Sequence, residues 1–256
     1  MDNKRIIFLA QSGTSSNIIF NALNKRFGIY KCIIEEKESA KIFLRRRIKK
    51  LGIFHVLSQI AFRLVIITPL QIISKKRINQ IIKANKLDVS NIPEITKANV
   101  NSINSVDTIK LLQQLKPDLI IVNGTRIISK KVLNSVNCKF INTHSGITPK
   151  YRGVHGMYWA LANNDLANSG VTVHFVDEGI DTGNIIGQSV VLPSPNDNFT
   201  TYPLLQLSSG ITLLEQAIEN YFINAIQLKI AASESRLWYH PTIWEYLYNR
   251  ITKKIK

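Results

Sequence analysis

Residues 5–35, RIIFLAQSGTSSNIIFNALNKRFGIYKCIIE, decide the fold. Arg5 to Ala10 reads as a strand, Gln11 to Ser16 as a small polar loop, and Asn17 to about Lys25 as a helix with an apolar period. Tyr30 to Glu35 reads as a second strand. A β-loop-α-β unit of this kind begins a parallel sheet covered by helices. The loop is not a dinucleotide fingerprint, because G-x-G-x-x-G is absent, so a nicotinamide cofactor is not implied.

The second strand runs into the most unbalanced part of the chain. Twelve Lys or Arg and no Asp or Glu lie between Lys41 and Lys86, which leaves about +4 of the +16 net charge for all other residues. Leu51 to Leu70 is mostly apolar, but His55, Ser58, Gln59 and Arg63 interrupt it and Pro69 is expected to close it. A membrane-spanning helix is therefore disfavoured, and the stretch reads as a helical insertion at about 41–86. It either packs on the domain or lies as an amphipathic segment on a surface; its charge would attract phosphates, nucleic acid or an anionic membrane alike.

Beyond the insertion, Asp107 to Gln114 reads as a helix. Asp118 to Val122 is a continuous apolar run of the kind that fills a buried parallel strand. A helix at about Lys130 to Val136 and a strand at Lys139 to Ile141 follow, and that strand ends in Asn142, Thr143 and His144. Polar residues thus gather at a strand's carboxyl end, where open α/β sheets bind ligands. Val171 to Val176 and Asn184 to Val191 read as a hairpin, and Thr201 to about Asn224 as one long helix. The tail from Ala231 mixes Trp238, Tyr239, Trp244, Tyr246 and Tyr248 with basic residues; these aromatics suit a nucleotide base or a dimer interface, although packing is their commoner use.

At 256 residues, 45% hydrophobic and 20% charged, the chain has the composition of a folded globular protein rather than of a disordered one. Cys32 and Cys138 are isolated, so neither a zinc spacing nor a disulfide framework follows, and core thiols are expected. The start, Met1 and Asp2 followed directly by a strand-like run, lacks the pattern of an export signal, so a cytoplasmic location is expected.

Two segments carry the chemistry: Phe140 to Gly153, FINTHSGITPKYRG, and Gly170 to Gly183, GVTVHFVDEGIDTG. Together they resemble the folate-dependent formyltransferase family, which includes glycinamide ribonucleotide transformylase, methionyl-tRNA formyltransferase and the sugar N-formyltransferases of bacterial surface polysaccharides. The resemblance covers roughly residues 1–195. It implies an α/β fold: a Rossmann-like, mostly parallel sheet with flanking helices, the basic helical insertion, and a small C-terminal helical extension at 196–256. It also implies that Asn142, His144 and Asp181 are catalytic. Attack of an amine on a formyl carbon builds negative charge on an oxygen, which a fixed amide such as Asn142 can stabilise. His144, one side-chain period along the same strand face, can donate to that oxygen or carry a proton. By the same resemblance Asp181 orients the imidazole and accepts the amine's proton.

His174 matches a supporting position beside the reacting groups. Gly124, Thr125, Arg126, Ile127 and Ile128 match the segment that lines the folate pocket, although Asn123-Gly124 is also simply a good turn. Gly13, Thr14 and Ser15 match a loop that holds substrate phosphate on backbone amides at a helix start, with Ser15 where the family loop has glycine. Helix capping by Ser15, Ser16 or Asn17 is the other use of that loop. For His155, contact with substrate and surface exposure are both open; His55 and His240 carry no constellation.

The donor implied is 10-formyltetrahydrofolate, with no metal. The Asp181-Thr182-Gly183 version of the aspartate motif resembles that of the sugar N-formyltransferases, so the acceptor expected is the amine of a nucleotide-linked amino sugar. Glycinamide ribonucleotide and methionyl-tRNA are the alternatives within the family. A basic nucleic-acid or membrane-surface binder on the same fold is the alternative outside it, and the intact Asn142, His144 and Asp181 argue against it; a nucleic-acid partner is disfavoured. A homodimer and contact of 41–86 with the inner membrane surface complete the expectations.

Overall fold

A computed structural model describes residues 4–230 and 233–256. Met1 and Asp2, on which the expected absence of a leader partly rests, lie outside the described residues, as do Ala231 and Ala232 at the head of the tail. The chain runs β1 (Ile6–Gln11), α1 (Thr14–Phe27) and β2 (Lys31–Glu35), then the insertion helices α2 (Ala40–Leu51), α3 (Ile53–Ala61), α4 (Thr68–Ile73) and α5 (Lys75–Ala84). β3 (Lys97–Val100), α6 (Val106–Leu115), β4 (Leu119–Asn123), α7 (Lys130–Leu133), β5 (Lys139–His144), β6 (Arg152–Gly153) and α8 (Gly156–Ala162) follow. The chain closes with β7 (Gly170–Phe175), β8 (Ile185–Val190), α9 (Tyr202–Phe222), β9 (Leu237–Trp238) and α10 (Ile243–Thr252).

Seven strands make one sheet in the order β3-β2-β1-β4-β5-β7-β8. The first five are parallel, and the β7–β8 hairpin closes the edge antiparallel. The mostly parallel sheet expected from the sequence is therefore present. Its two faces are filled by the alternation of strand side chains. Ile6, Phe8 and Ala10 pack with Cys32, Leu119, Ile121 and Ile141 beneath α1 and α9. Ile7, Leu9, Ile33, Ile120 and Val122 pack on the other face with Leu112 of α6 and Val132 of α7. Each of the Ile, Leu, Val and Phe side chains contributes about 1.5–3 kcal/mol when fully buried. Burial also pushes the thiols of Cys32 and Cys138 up to about 12, so both are inert packing groups.

Of residues 196–256, expected as an extension, α9 packs into this core. Leu207, Leu214, Ala217 and Ile218 of α9 cover the sheet, and β9 returns to pair with β6 in the register Arg152↔Leu237 and Gly153↔Trp238. Trp238 stacks on Trp159 at 4.7 Å and Tyr246 is buried, whereas Trp244 and Tyr248 are exposed.

The insertion continues through Pro69 instead of closing there. Phe62–Ile67 winds as a π-helix, and Pro69 sits in the first turn of α4, where no donor is required of it. The Thr68 amide reaches back five residues to the Arg63 carbonyl, which absorbs the register change. Aromatic packing and an ion pair are among the contacts that fasten the insertion. Phe62 packs edge-on to Phe199 at 5.1 Å and against Tyr246. Arg77 Nε and Nη2 donate to Asp197 Oδ1 and Oδ2 at 2.8 and 2.9 Å. Burial pushes the Asp197 carboxyl up, but Arg77 and the Ser194 hydroxyl and amide outweigh it and hold it at about 2.

Candidate active site

β5 runs through Asn142 to His144, the strand end expected from the sequence, and the hairpin continues its ladder there: Asn142 pairs with His174 and His144 with Thr172. Residues i and i+2 share a face, and directly opposed residues of an antiparallel pair do too, so Asn142, His144 and His174 project together. His174 Nδ1 lies 2.7 Å from the Phe175 carbonyl, which can only accept, so Nδ1 carries the proton. Nε2 is then a lone pair, and Asn142 Nδ2 donates to it at 3.3 Å. This fixes which end of the Asn142 amide is nitrogen and leaves its second N–H free.

The turn after β5 is shaped by Gly146. A Cβ there would run into the Tyr151 carbonyl oxygen, the group to which His144 Nε2 donates at 2.8 Å. Thr172 Oγ1 donates to the Gly146 carbonyl and accepts from the Thr148 amide at 2.7 and 3.1 Å, so the turn is held by buried polar groups. With Nε2 committed to Tyr151, Nδ1 is the His144 nitrogen facing Asp181, at 3.3 Å from Oδ2.

Asp181 reaches this position through a strained backbone, with φ at 52°. Asp177 Oδ1 accepts from the Gly179 amide and the Thr182 hydroxyl, folding the loop on itself. Gly183 passes so close to the Phe175 carbonyl that no side chain fits there. Arg152 Nη1 donates to the Ile180 carbonyl at 2.9 Å, and the Gly153 amide to Asp181 Oδ2 at 3.0 Å. Burial raises the Asp181 carboxyl, but His144, His174 and the Gly153 amide outweigh it and hold it at about 2. Burial lowers the pKa of His144, against the opposing pull of Asp181, and Nδ1 is the ring nitrogen left to take a proton. A proton arriving there forms an imidazolium already faced by a carboxylate.

These groups line a cleft of about 490 Å³. Its other wall is the 124–128 segment with Val122 and Val176, a mixed apolar and main-chain surface. Glu35, at the end of β2 and fully buried, organises that segment: it accepts from the Arg126 amide at 2.9 Å and the Ile103 amide at 2.7 Å, and faces the Arg126 guanidinium at 3.2 Å. Arg126 also donates to the Asn101 and Glu36 carbonyls, which makes it a strut between strand ends, while Ile127 is left 57% exposed on the cleft wall. Nothing near Glu35 in sequence marks it, because its partners lie 68 and 91 residues away.

Gly13, Thr14 and Ser15 lie outside the cleft wall. α1 starts at Thr14, earlier than expected, because Ser16 Oγ ties back to the Gln11 carbonyl; Asn123, which lines the cleft, donates to Ser16 Oγ at 2.9 Å and Ser15 Oγ at 3.4 Å. His155 does line the cleft, with φ at 58° at the start of α8. Its partner was not expected: His240 Nδ1 is 2.9 Å from His155 Nε2, and the His240 carbonyl accepts from Gln59 of α3. Gln59 also contacts His55 Nε2 at 3.1 Å and accepts from Arg47. Both His240 and His55 therefore belong to a constellation, one that no local spacing reveals.

Burial drives His155 down to about 3, with repulsion from His240 adding to it, and His240 down to about 4, with Arg47 and Arg63 adding to it. Both folded-state values lie below the ordinary 6.5, so the unfolded chain takes up protons first as pH falls. Stability from this pair is complete above pH 6.5 and is lost toward pH 4. Thermal denaturation at pH 4.5 is expected to give a Tm of the order of 5–10 °C below that at pH 7.5. His240→Gln should narrow that gap; an equal drop in wild type and variant would assign the acid sensitivity to other groups.

The family model described as formyl transferase matches residues 66–204. A methionyl-tRNA formyltransferase of Methylacidiphilum infernorum is 38% identical over 119 residues, covering 46% of this chain and 37% of the relative. The chain covers between 27% and 45% of the length of the first curated relatives it matches. Among solved structures, a phosphoribosylglycinamide formyltransferase from Streptococcus pneumoniae matches with a TM-score of 0.55 at 19% identity, covering 86% of this chain and 99% of that one. An N-formyltransferase from Helicobacter canadensis, in complex with folinic acid and dTDP-3-aminofucose, matches with a TM-score of 0.54 at 17% identity, covering 92% of this chain and 71% of that one. At such identities the structural matches establish the fold alone.

Proposed function

The chain belongs to the formyl transferase family, and from that premise we propose that it transfers a formyl group from 10-formyltetrahydrofolate to the amine of a nucleotide-linked amino sugar. The observation that carries the transfer is the pinned Asn142 amide, whose free N–H faces the same cleft as the His144–Asp181 pair. The folate donor supplies an activated formyl group. Residues 124–128, with Val122 and Val176, offer a flat heterocycle an apolar wall edged by main-chain polar groups. The free Asn142 N–H donates to the formyl oxygen as charge grows there. Asp181, ionised and backed by the Gly153 amide, attracts the acceptor's ammonium, which loses a proton to become the attacking amine; His144 Nδ1 takes up the second proton as the new C–N bond forms and returns it to the folate nitrogen as that nitrogen's bond to the formyl carbon breaks.

The sugar acceptor is supported by a second cavity of about 350 Å³ that meets the cleft at His155 and His240 and brings Arg47 and Arg63 to its wall. Paired guanidinium groups beside the reaction centre suit a diphosphate. The neighbour from Helicobacter, whose complex holds a dTDP-linked amino sugar, supports the same reading. The methionyl-tRNA formyltransferase relatives favour tRNA as a second reading, limited by the short share of their length that is matched.

The test is release of tetrahydrofolate from 10-formyltetrahydrofolate across a panel of amino-sugar nucleotides, glycinamide ribonucleotide and methionyl-tRNA, with wild type beside Asn142→Ala. Turnover with a sugar nucleotide that the variant lacks is the expected result. Turnover only with methionyl-tRNA would move the acceptor assignment, and no turnover with any acceptor would overturn the transfer reading.

A further inference from the structure

The insertion is apolar on two sides, and the protein covers only one of them. Val56, Gln59 and Phe62 face inward, while Phe54 is 85% exposed and Leu57, Leu64, Val65, Ile72 and Ile73 are each more than half exposed. The helical stretch Ile53–Ile73 has a mean hydropathy of 1.8 in its most apolar window, of which 11% is buried. A helix apolar all round belongs inside a protein or against lipid, and this one is not inside.

We propose that residues 40–84 form a monotopic membrane element that docks the protein on an anionic lipid bilayer, with the ridge from Phe54 to Ile73 set into the headgroup boundary. Charge chooses the occupant. No acidic residue lies between Lys41 and Lys86, and Lys41, Arg45, Lys49, Lys75 and Lys76 are exposed and make no ion pair among the described residues. A second copy would set this cationic surface against itself, and a nucleic acid would leave the aliphatic ridge in water; an anionic bilayer satisfies both. The element lies on the membrane rather than crossing it, because Phe62 is locked to Phe199 and Tyr246 and Gln59 to the His240 carbonyl. The cavity beside the catalytic cleft is walled by the same helices, so docking would turn the cleft's acceptor side toward the headgroups.

Flotation of the full chain with vesicles of phosphatidylcholine alone, or mixed with phosphatidylglycerol, tests this without reference to catalysis. Partition is expected only with the anionic mixture, falling at least about tenfold as ionic strength rises from about 0.05 to 0.5 M. Leu57→Glu/Leu64→Glu should abolish it, and Lys75→Glu/Lys76→Glu should weaken it by about fivefold or more for each charge removed. Phe54→Trp, at a site that touches no core, should shift its fluorescence to the blue on vesicles. Absence of wild-type flotation, flotation unchanged by both charge and ridge variants, or a dimer in solution that Leu57→Glu/Leu64→Glu separates would each overturn the proposal, the last by assigning the ridge to a second copy.

Discussion

Asp181→Asn should lower kcat/KM by about 10³-fold, within the range for loss of a positioned acid-base group, while leaving the fold intact. Asparagine keeps an oxygen for the Gly153 amide, so the loop 177–183 retains its anchor. What is lost is the negative charge facing His144 Nδ1 at 3.3 Å. Without it, only the Tyr151 carbonyl opposes burial at His144, and its pKa falls further. The neutral ring accepts the proton, so the acid limb of whatever activity remains should move to lower pH than in wild type. Steady-state kinetics across pH checks both parts, and a variant that kept most of its activity with an unmoved acid limb would remove Asp181 from the proton's route. For comparison, loss of the Asn142 donor is expected to cost about 10²–10³-fold in kcat with no such movement.

Glu35→Ala carries the second large expectation, on stability and donor binding together. The substitution leaves the Ile103 and Arg126 amides without their acceptor and the Arg126 guanidinium without its carboxylate. Breaking a buried pair in this way costs about 3–5 kcal/mol. Arg126 is partly exposed and keeps two carbonyl partners, so the lower end applies, a fall in Tm of roughly 6–12 °C. Because the same carboxylate fixes the 124–128 segment, folate affinity should fall as well, and Glu35→Gln, which retains one acceptor, should lie between. An unchanged Tm would show that the segment is held by other contacts.

Legibility followed distance along the chain. The chemistry of Asn142 and His144 sits in one fourteen-residue stretch with Gly146 and Gly153, and the loop that carries Asp181 folds on its own Asp177; such local dependencies can be read directly from sequence. The apolar runs of β1 and β4 were equally plain, since both faces of a central parallel strand are buried. β3 gave no signal: Lys97–Val100 is a short edge strand with no residue fully buried. β6 and β9 are two residues each and exist only because residues 85 apart meet. The same holds for the His155–His240 contact and for Glu35, whose meaning lies wholly in distant partners. Pro69 misled because its missing N–H matters only if the helix keeps its register, and the π turn changed it.

The pairing of Gly153 with Trp238 has a consequence for the order of events during synthesis. Strands through Val190 leave the ribosome first, and with them Asn142, His144 and Asp181. The backbone on either side of the Gly153 amide that steadies Asp181 is clasped only once Leu237 and Trp238 emerge. A nascent chain halted between these points would hold a finished sheet around an unfinished cleft, so the site is completed by the return of Leu237 and Trp238 to Gly153 rather than by closure of the sheet.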